Sequence, residues 1–490
     1  MAQETVTTNA ADAVLSRKER FFFSLGDFNS GSTGLVTAVY AVYLVANGLK
    51  ISTAAIIIMV GKIWGAFAEP IIGTISDNTR SNFGRRRPFM VAGGALIVFS
   101  FALLFFPLYY LDGAAFKILI YLTGYILYMS TLTLAQCPYI AMGAEITANH
   151  DERNKMNTLR TIVSFLSSLL SAGIPILLTE SLNAGNVSVT TFSLVMIFAF
   201  GTLYALPTIL AAVYSKERVP VPLEKYKFSI KEFFRPLKVK AFRLTVIMYV
   251  LIMICADVVG ANIIYMAEYG MNIDFSAFNI LAVMMAAFAF TIPLHNKLMV
   301  KFSKAKLYRI GIPLYIVGAY FLCFYPENWN QYGLYLVAVV IGVGMCGAQN
   351  MPWFIFPDVT DIGELKNGSA NPGIYGGVMT FSCQIITAIA MGLAGVALQL
   401  SGFVEPGTDA NGIVETVIQP PSAVLGLRLT LFLPILIFVG AAFFVSIRLK
   451  ISPERSKLVT KILHLRRENK LSEMTADETA EYEKIQKELY

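Results

Sequence analysis

The stretch GKIWGAFAEPIIGTISDNTRSNFGRRRP, residues Gly61–Pro88, joins an apolar run to a dense polar turn. The apolar run carries two ionisable side chains, Lys62 and Glu69, and the turn contains Asp77 and three consecutive arginines. An ionisable side chain inside a membrane helix costs about 3 kcal/mol or more on insertion scales, so it needs a partner or a water-filled cavity. The stretch therefore favours a protein that moves a solute across a membrane over a passive membrane anchor.

The composition of the whole chain is that of a membrane protein. Hydrophobic residues make up 56% of the 490 residues, charged residues make up 14%, and the mean hydropathy is +0.61. Apolar runs long enough to cross about 30 Å of hydrocarbon recur along the chain, and each must be helical because unpaired backbone groups cannot face lipid. We predict twelve transmembrane helices, near residues 22–48, 52–77, 88–111, 117–142, 158–179, 191–214, 241–266, 277–299, 309–325, 334–357, 372–400 and 424–449.

The positions of the Lys and Arg residues predict the orientation of the chain. With an even number of spans, both termini lie on the same side of the membrane. That side holds all but four of the 39 basic residues, the exceptions being Lys50, Lys62, Lys117 and Arg428. The positive-inside rule makes this side, and with it both termini, cytoplasmic. The net charge of +7 follows from the same asymmetry, so no nucleic-acid partner is expected.

The longest stretch of basic residues between apolar runs, Ser215 to Phe242, separates the first six predicted spans from the last six. We predict an N-terminal six-helix bundle over residues 1–214, a central cytoplasmic loop over 215–242, a C-terminal six-helix bundle over 243–450 and a cytoplasmic tail over 451–490. This layout is typical of the major facilitator fold, an all-α membrane fold with a substrate site near the bilayer midplane. Within the tail, Thr475-Ala-Asp-Glu predicts the start of a helix.

Ionisable residues within the predicted spans are the first candidates for function. Asp27, Lys62, Glu69 and Asp257 lie in such spans. A carboxylate at low dielectric has a raised proton affinity, so Glu69 is a candidate for cation or proton coupling. The alternative for Glu69 is a structural carboxylate paired with a base on another helix. Lys62 is a second coupling candidate, although a lysine near a helix end can instead snorkel to the interface.

Two further groups of residues are candidates for other roles. Asp77, Arg80, Arg85 and Arg86 lie at the predicted cytoplasmic mouth, where an acid beside arginines can latch helix ends in one conformation. The alternative is the ordinary retention of basic residues on the cytoplasmic side. Aromatic residues can stack on the apolar face of a sugar, but packing competes with this role; the aromatic candidates are Trp64, Tyr139, Tyr265, Tyr269 and Trp353.

Five blocks, in order along the chain, resemble the glycoside-pentoside-hexuronide:cation symporters, the melibiose-carrier-like branch of the major facilitator superfamily. Each block alone is moderately specific, and the five together are a strong match. The blocks are Gly26-Asp27-Phe28, Lys62-Ile-Trp64 with Glu69-Pro70, Asp77 to Pro88, Gln136-Cys-Pro-Tyr139 with Ala144-Glu-Ile-Thr147, Asp151-Glu-Arg153 and Asn157-x-x-Arg160, and Pro357 to Gly368.

The resemblance implies symport of a sugar, a glycoside or a related small polar solute by alternating access. It implies that Glu69 takes the place of the second carboxylate of a helix-two pair, and that Arg160 is a substrate-binding or gating arginine. It also places Gln136 at a polar position of the fourth helix that contacts the cation or the sugar, and it makes Asp27 a weaker substrate candidate. The full set of predicted substrate-binding residues is Asp27, Trp64, Gln136, Arg160, Tyr265 and Gln384.

Three departures from the family pattern bear on the coupling ion. The first carboxylate of the helix-two pair is replaced by Gly65, the second is Glu instead of Asp, and a lysine common in the eleventh helix is Gln384. Sodium prefers several oxygen ligands, usually including charged ones. We therefore expect proton coupling through Glu69, with sodium coupling and uncoupled transport as alternatives.

Two other functions are alternatives to sugar symport for this sequence. A carrier of lysophospholipids or other amphiphiles with the same fold is the nearest alternative, and a transporter-shaped sensor whose tail binds a partner is another. An enzyme is disfavoured because the sequence has no nucleophile elbow, metal motif or phosphate-binding glycine loop. We expect a monomer in the cell membrane, such as a bacterial inner membrane, with a small-molecule substrate and no cofactor or metal beyond the coupling ion.

Overall fold

The structure, a computed structural model, describes residues 14–147, 150–218, 229–270, 277–299, 301–326, 329–368, 372–415, 417–467, 470 and 474–490. Residues 219–228 of the predicted central loop lie outside this set. Within it, regular secondary structure is helical apart from one antiparallel bridge between Thr408 and Val414. The chain divides into two compact units, the described parts of 1–228 with 391–423, and of 229–390 with 424–490.

The first unit is built from eight helices that lie wholly within it. They are α1 (Arg17–Leu25), α2 (Gly31–Ala46), α3 (Ile51–Asn78), α4 (Arg87–Leu104), α5 (Ala114–Glu145), α6 (His150–Asn183), α7 (Val189–Leu194) and α8 (Gly201–Tyr214). A 3₁₀ turn, Gly26–Ser30, joins α1 to α2, and a π-helical segment, Val195–Phe200, joins α7 to α8.

The second unit contains the remaining helices. They are α9 (Ile230–Phe233), α10 (Lys240–Tyr265), α11 (Ala277–Leu298), α12 (Lys304–Cys323), α13 (Gly333–Asn367), α14 (Pro372–Leu400), α15 (Pro421–Pro434), α16 (Gly440–Arg448), α17 (Pro453–Arg467) and α18 (Ala476–Leu489). The boundary between the units crosses α14 after Ala390 and falls again at the start of α15, after Ala423.

The helices confirm an all-α protein that crosses the membrane many times. Ten helical segments among the described residues are long and apolar enough to span a bilayer. Two predicted spans fall short of that standard: α2 has 16 residues because the 3₁₀ turn precedes it, and α12 begins with basic residues that lower its hydropathy. The count of twelve spans and the cytoplasmic termini therefore stay predictions.

The connection between α14 and α15 packs against the helix ends of the first unit. Ile51 N, at the start of α3, donates to Glu405 Oε1 over 3.2 Å. Thr408 Oγ1 donates to the main-chain oxygen of Ala46 at the end of α2. Val189 N, at the start of α7, donates to Gly412 O over 2.8 Å. These hydrogen bonds give the residues between α14 and α15 their place in the first unit.

The tail folds into two helices in the second unit. Thr475 caps α18, and its side chain and that of Glu478 form a reciprocal capping box, which confirms the predicted helix start. Arg455, on α17, pairs with Glu481 and Glu488, on α18, with N to O distances of 2.7 and 2.8 Å. Ion pairs thus hold α17 against α18.

Candidate functional site

An ion pair joins the break between α1 and α2 to α6. Asp27 lies in the 3₁₀ turn Gly26–Ser30. The Nε of Arg160, on α6, donates a hydrogen bond to Asp27 Oδ2 over 2.9 Å. Both side chains are largely buried, with 17% of Arg160 and 15% of Asp27 exposed. The structure thus brings together two residues that sequence reasoning selected separately as substrate ligands.

Hydroxyl groups hold the 3₁₀ turn against α6. Ser30 Oγ donates to Asp27 O over 2.7 Å and lies 3.0 Å from Ser164 Oγ on α6. One helical turn further, Ser167 Oγ donates to Phe28 O. A 3₁₀ turn leaves main-chain carbonyls outside the regular helical pattern, and these serines satisfy them. Asp27 is therefore held at a fixed place beside Arg160.

The ion pair leaves hydrogen-bonding groups available to a solute. A guanidinium has five N–H donors in one plane, and Arg160 uses its Nε–H toward Asp27. For the terminal nitrogens of Arg160, the described residues provide one contact, between Nη1 and Asn157 Oδ1 at 3.5 Å. Asp27 Oδ1 has no hydrogen-bond partner among the described residues. A donor set and an acceptor therefore stand side by side.

Glu69 lies in the seam between α3 and α5. It belongs to a row spaced by four residues, Gly61, Gly65, Glu69 and Gly73, that follows one side of α3. A Cβ at Gly65 would overlap Met129 Cε on α5, and one at Gly73 would lie 3.4 Å from the Sγ of Cys137. Cys137 Sγ also lies 4.0 Å from the main-chain oxygen of Glu69.

The space beside Gly65, where the family resemblance implies a first carboxylate, is occupied by a side chain of α5. Met129 occupies the space that a side chain at position 65 would enter. The methyl end of Met129 is flexible and can move aside. A carboxylate at position 65 would therefore displace Met129 and could still be accommodated. Glu69 is the carboxylate that remains in this row of α3.

The other predicted residues of α3 and α5 lie along the same two helices. Lys62 is buried, with 8% exposed, and its Nζ lies 3.2 Å from Met391 Sδ. It therefore does not snorkel to the surface. Trp64 is 45% exposed and its indole N–H donates to Ser130 Oγ over 2.8 Å. Gln136 lies half-buried on α5, next to Cys137 in sequence.

The predicted gating residues meet at the end of α3. Arg86 Nη2 lies 2.7 Å from Asp77 Oδ1 and 2.8 Å from Glu145 Oε1. Arg85 also pairs with Glu145. Burial by itself would lower the pKa of Arg86, but the hydrogen bond and charge of Glu145, with the charge of Asp77, raise that pKa above its ordinary value. Arg80 is exposed and donates to main-chain oxygens, including Asp77 O over 2.8 Å.

A second carboxylate caps the arginine turn. Glu217 accepts hydrogen bonds from the main-chain N–H groups of Arg85 and Arg86, each over 2.8 Å. The turn can approach Glu217 because Gly84 has φ of +116° and no Cβ; a Cβ there would lie 2.8 Å from Glu217 Oε1. A carboxylate at the start of α4 is also favourable to the helix dipole.

Sequence reasoning missed Glu145 and Glu217 as parts of this network. Glu145 ends α5 and belongs to the fourth block, which gave it no role, and Glu217 stands between Lys216 and Arg218 at the start of the predicted central loop. The sequence signal for a role of Glu217 is its place between two basic residues. The sequence positions of Glu145 and Glu217 do not indicate contact with Arg85. The packing of the helices brings both carboxylates to it.

Two predicted residues lie in the second unit. Tyr265 is 2% exposed, and its ring stacks with that of Tyr269 at a centroid distance of 6.5 Å. Gln384 lies half-buried on α14. In the same unit Lys304 Nζ lies 2.7 Å from Asp358 Oδ2, a residue of the fifth block. Among the described residues, no group of three or more His, Cys, Asp or Glu could hold a metal ion.

Several curated proteins resemble this chain over most of its length. The uncharacterized symporter YjmB of Bacillus subtilis is 24% identical, covering 92% of this chain and 96% of the relative. Sodium-dependent lysophosphatidylcholine symporter 1 of Gallus gallus is 23% identical, covering 75% of each chain. The putative glycoside/cation symporter YagG of Escherichia coli is 22% identical, covering 88% of this chain and 92% of the relative.

A solved structure supports the fold. The nucleoside transporter NupG matches with a TM-score of 0.58 and 11% identity, covering 89% of this chain and 99% of NupG. At this identity the likeness shows the fold alone. The relatives named as symporters, together with the family match that follows, show a secondary transporter, a multi-pass protein of the cell membrane and not an enzyme. A family model described as MFS/sugar transport protein matches residues 22–452, and the chain therefore belongs to that family.

Proposed function

We propose that this transporter carries a sugar or glycoside in symport with protons. The observation that supports this most is the pair of Asp27 and Arg160. Every sugar hydroxyl can both donate and accept a hydrogen bond, and neighbouring hydroxyls suit a site that offers donors and an acceptor together. The terminal nitrogens of Arg160 and Oδ1 of Asp27 offer that combination, and the pair has no net charge. It therefore suits an uncharged solute with several hydroxyls.

Glu69 is the proposed proton carrier. It is the one carboxylate in the row Gly61, Gly65, Glu69 and Gly73 of α3, and the family resemblance implies a second carboxylate at the position of Gly65. One carboxylate can bind a proton, whereas sodium prefers a set of several oxygens. Release of the proton toward the cytoplasm would then drive uptake of the solute. The proposed protein works as a monomer with no cofactor other than this proton.

The network of Asp77, Arg85, Arg86 and Glu145 is the proposed cytoplasmic latch. Its ion pairs link the ends of α3 and α5 to the turn before α4. Ion pairs of this kind can break and form again with different partners when the helix ends move. Substrate has no proposed contact with the latch.

The direct test uses purified protein in proteoliposomes. Counterflow of labelled glycosides is measured across a panel that includes hexosides, pentosides and non-sugar polyols, with pH and sodium varied independently. Saturable counterflow of at least one glycoside, with accumulation driven by a pH gradient without sodium, is the expected result. The absence of saturable counterflow for the whole panel would reject the sugar assignment, and a strict sodium requirement would reject proton coupling.

A lysophospholipid carrier is the second candidate. Relatives include sodium-dependent lysophosphatidylcholine symporters. In this chain, α6 also presents exposed apolar side chains that could accompany an acyl chain, namely Ile162, Phe165, Leu166, Leu169, Leu170, Ile174 and Leu177. Uptake of a fluorescent lysophospholipid by the same proteoliposomes, with competition by glycosides, separates the candidates. Uptake that glycosides do not compete with would favour the lipid carrier.

A further inference from the structure

Tyr139, on α5, is buried beside the ion pair of Asp27 and Arg160. It is 1% exposed. Its hydroxyl donates to the main-chain oxygen of Phe23 over 3.0 Å and accepts from Arg160 Nε over 3.1 Å. Both contacts lie within the protein, so the hydroxyl is directed at Phe23 and Arg160 rather than at a solute. The buried ring is likewise not placed as an open platform for a sugar.

The ring of Tyr139 is also packed against both partners. The guanidinium carbon of Arg160 lies 4.9 Å from the centroid of the Tyr139 ring, within the range of a cation–π contact. The rings of Phe23 and Tyr139 lie 4.8 Å apart. A Cβ at Gly26 would lie 2.5 Å from Tyr139 Cε2. The ring therefore fits between the 3₁₀ turn and the guanidinium, in space that glycine provides.

Arg160 without Tyr139 would have a weaker anchor. The Nε–H of Arg160 is shared between Asp27 Oδ2 and the hydroxyl of Tyr139. A guanidinium at the end of a long side chain has considerable rotamer freedom. Two acceptors on different helical elements, together with the ring beneath it, restrict that freedom. The direction of the terminal nitrogens of Arg160 is then set before a solute arrives, which lowers the cost of binding.

We propose that Tyr139 is a positioning residue for the substrate site, which acts through Arg160 and does not touch the solute. It connects the end of α1 to α6 and holds the terminal nitrogens of Arg160 in place. This inference rests on the proposed role of Arg160 as a substrate ligand. It makes Tyr139 a determinant of substrate affinity, with little part in the rate of the transport cycle.

The test is Tyr139→Phe, which keeps the ring and removes the hydroxyl. We expect the KM for the transported glycoside to rise about tenfold, because a hydrogen bond to a charged group is lost, with the maximal rate changed less than twofold. The matched control is Tyr43→Phe. Tyr43 is also fully buried in the first unit, and its hydroxyl lies 2.8 Å from Ser193 Oγ. The control should leave KM unchanged.

A double-mutant cycle with Arg160→Lys tests whether Tyr139 acts through Arg160. In the Arg160→Lys background, Tyr139→Phe should raise KM less than twofold further. Two independent effects that multiply, or an unchanged KM in the single variant, would overturn the inference. If Tyr139→Phe does not reach the membrane, Gly26→Ala displaces the ring and should raise KM in the same way. Full uptake by Arg160→Ala would instead refute the substrate role of Arg160 and with it the proposed site.

Discussion

Arg160 and Asp27 are 133 positions apart in the chain, yet Arg160 Nε lies 2.9 Å from Asp27 Oδ2. The contact fixes the turn between α1 and α2 to α6 and places a donor set beside an acceptor. Both side chains keep some contact with solvent, with 17% of Arg160 and 15% of Asp27 exposed.

Arg160→Ala should abolish glycoside uptake at normal surface expression. Arg160→Lys should retain less than about a tenth of the uptake, because a lysine has no planar fork of donors and each lost charged hydrogen bond costs about 1.5–3 kcal/mol. The matched control is Arg20→Ala. Arg20 forms an ion pair with Glu152 that also joins α1 to α6, with an N to O distance of 2.6 Å. Arg20→Ala should keep uptake; loss of uptake in this control as well would point to a structural requirement for the α1–α6 contact instead of a substrate role for Arg160.

Glu69→Gln should abolish accumulation against a gradient and spare exchange of labelled for unlabelled solute. The amide is similar in size to the carboxyl group but does not carry the proton. Glu69→Asp is the matched control and should keep accumulation, since it keeps a carboxylate. The measurement is uphill uptake driven by a pH gradient in proteoliposomes, alongside counterflow. Intact uphill uptake in Glu69→Gln would show that another group carries the proton.

Gly65→Asp should make uptake respond to sodium. The variant places a second carboxylate one turn from Glu69, and two carboxylates supply the oxygen ligands that sodium favours. Since the new side chain would meet Met129 Cε, the double variant Gly65→Asp with Met129→Ala should respond more strongly. Gly65→Asn is the neutral control. Uptake is measured with sodium from zero to saturation at constant pH, and equal behaviour of the Asp and Asn variants would contradict the prediction.

Glu145→Gln should weaken the cytoplasmic latch. Glu145 pairs with both Arg85 and Arg86, and 12% of its side chain is exposed. Removing its charge should lower the free energy of unfolding by about 1–3 kcal/mol, seen as a lower thermal unfolding midpoint in detergent. Glu217→Gln, which alters a helix cap, should cost about 1 kcal/mol. If both variants unfold at the same midpoint as the parent protein, these carboxylates do not stabilise the helix ends, and the proposed latch is wrong.

The docking of α18 should depend on pH and salt. Hydrogen bonds from Lys450, which has the larger effect, and from Arg455 lower the pKa of Glu488 to about 2. Because the pKa is lower in the docked state, this stabilisation is complete above the ordinary carboxyl pKa of about 4.3 and is lost as the pH falls toward 2. The pairs are exposed, so salt should weaken them too.

Mobility of a spin label measures this docking. Glu483 is exposed on α18, and a label on Glu483→Cys should be restrained at pH 7 and more mobile at pH 3 or in 1 M salt, the latter a concentration at which charges are screened within about 3 Å. Arg455→Gln, which removes one partner from each of Glu481 and Glu488, should mobilise the label already at pH 7. A label indifferent to pH between 5 and 3 would rule out the carboxylates as the docking groups.

Much of the fold could be predicted from the sequence because membrane insertion depends on local composition. The helical spans follow from apolar length, and the capped start of α18 follows from Thr475 and Glu478 three residues later. The family blocks placed Asp27, Glu69 and Arg160 among the candidates. The interruption at Gly26–Ser30 was not predicted, because an apolar run of full length does not show that its helix is broken.

The candidate site could be predicted only in its parts. Sequence reasoning selected Arg85 and Arg86 but not their partner Glu145, which lies about 60 residues further along the chain. It considered Tyr139 as a sugar platform, whereas the structure buries the ring against Arg160. A periodic pattern shows which residues share a helix face, but it does not show which faces meet.

The sequence by itself determined the class of the protein, most of its long apolar helices and the types of side chain available for binding and coupling, because hydropathy and local motifs are properties of neighbouring residues. The tertiary structure alone decided which of those side chains meet. Asp27 and Arg160 form an ion pair, Glu145 pairs with the arginines after α3, and Met129 fills the space beside Gly65. These outcomes depend on how the helices pack, and side chains from distant positions come within hydrogen-bonding distance only after that packing is complete.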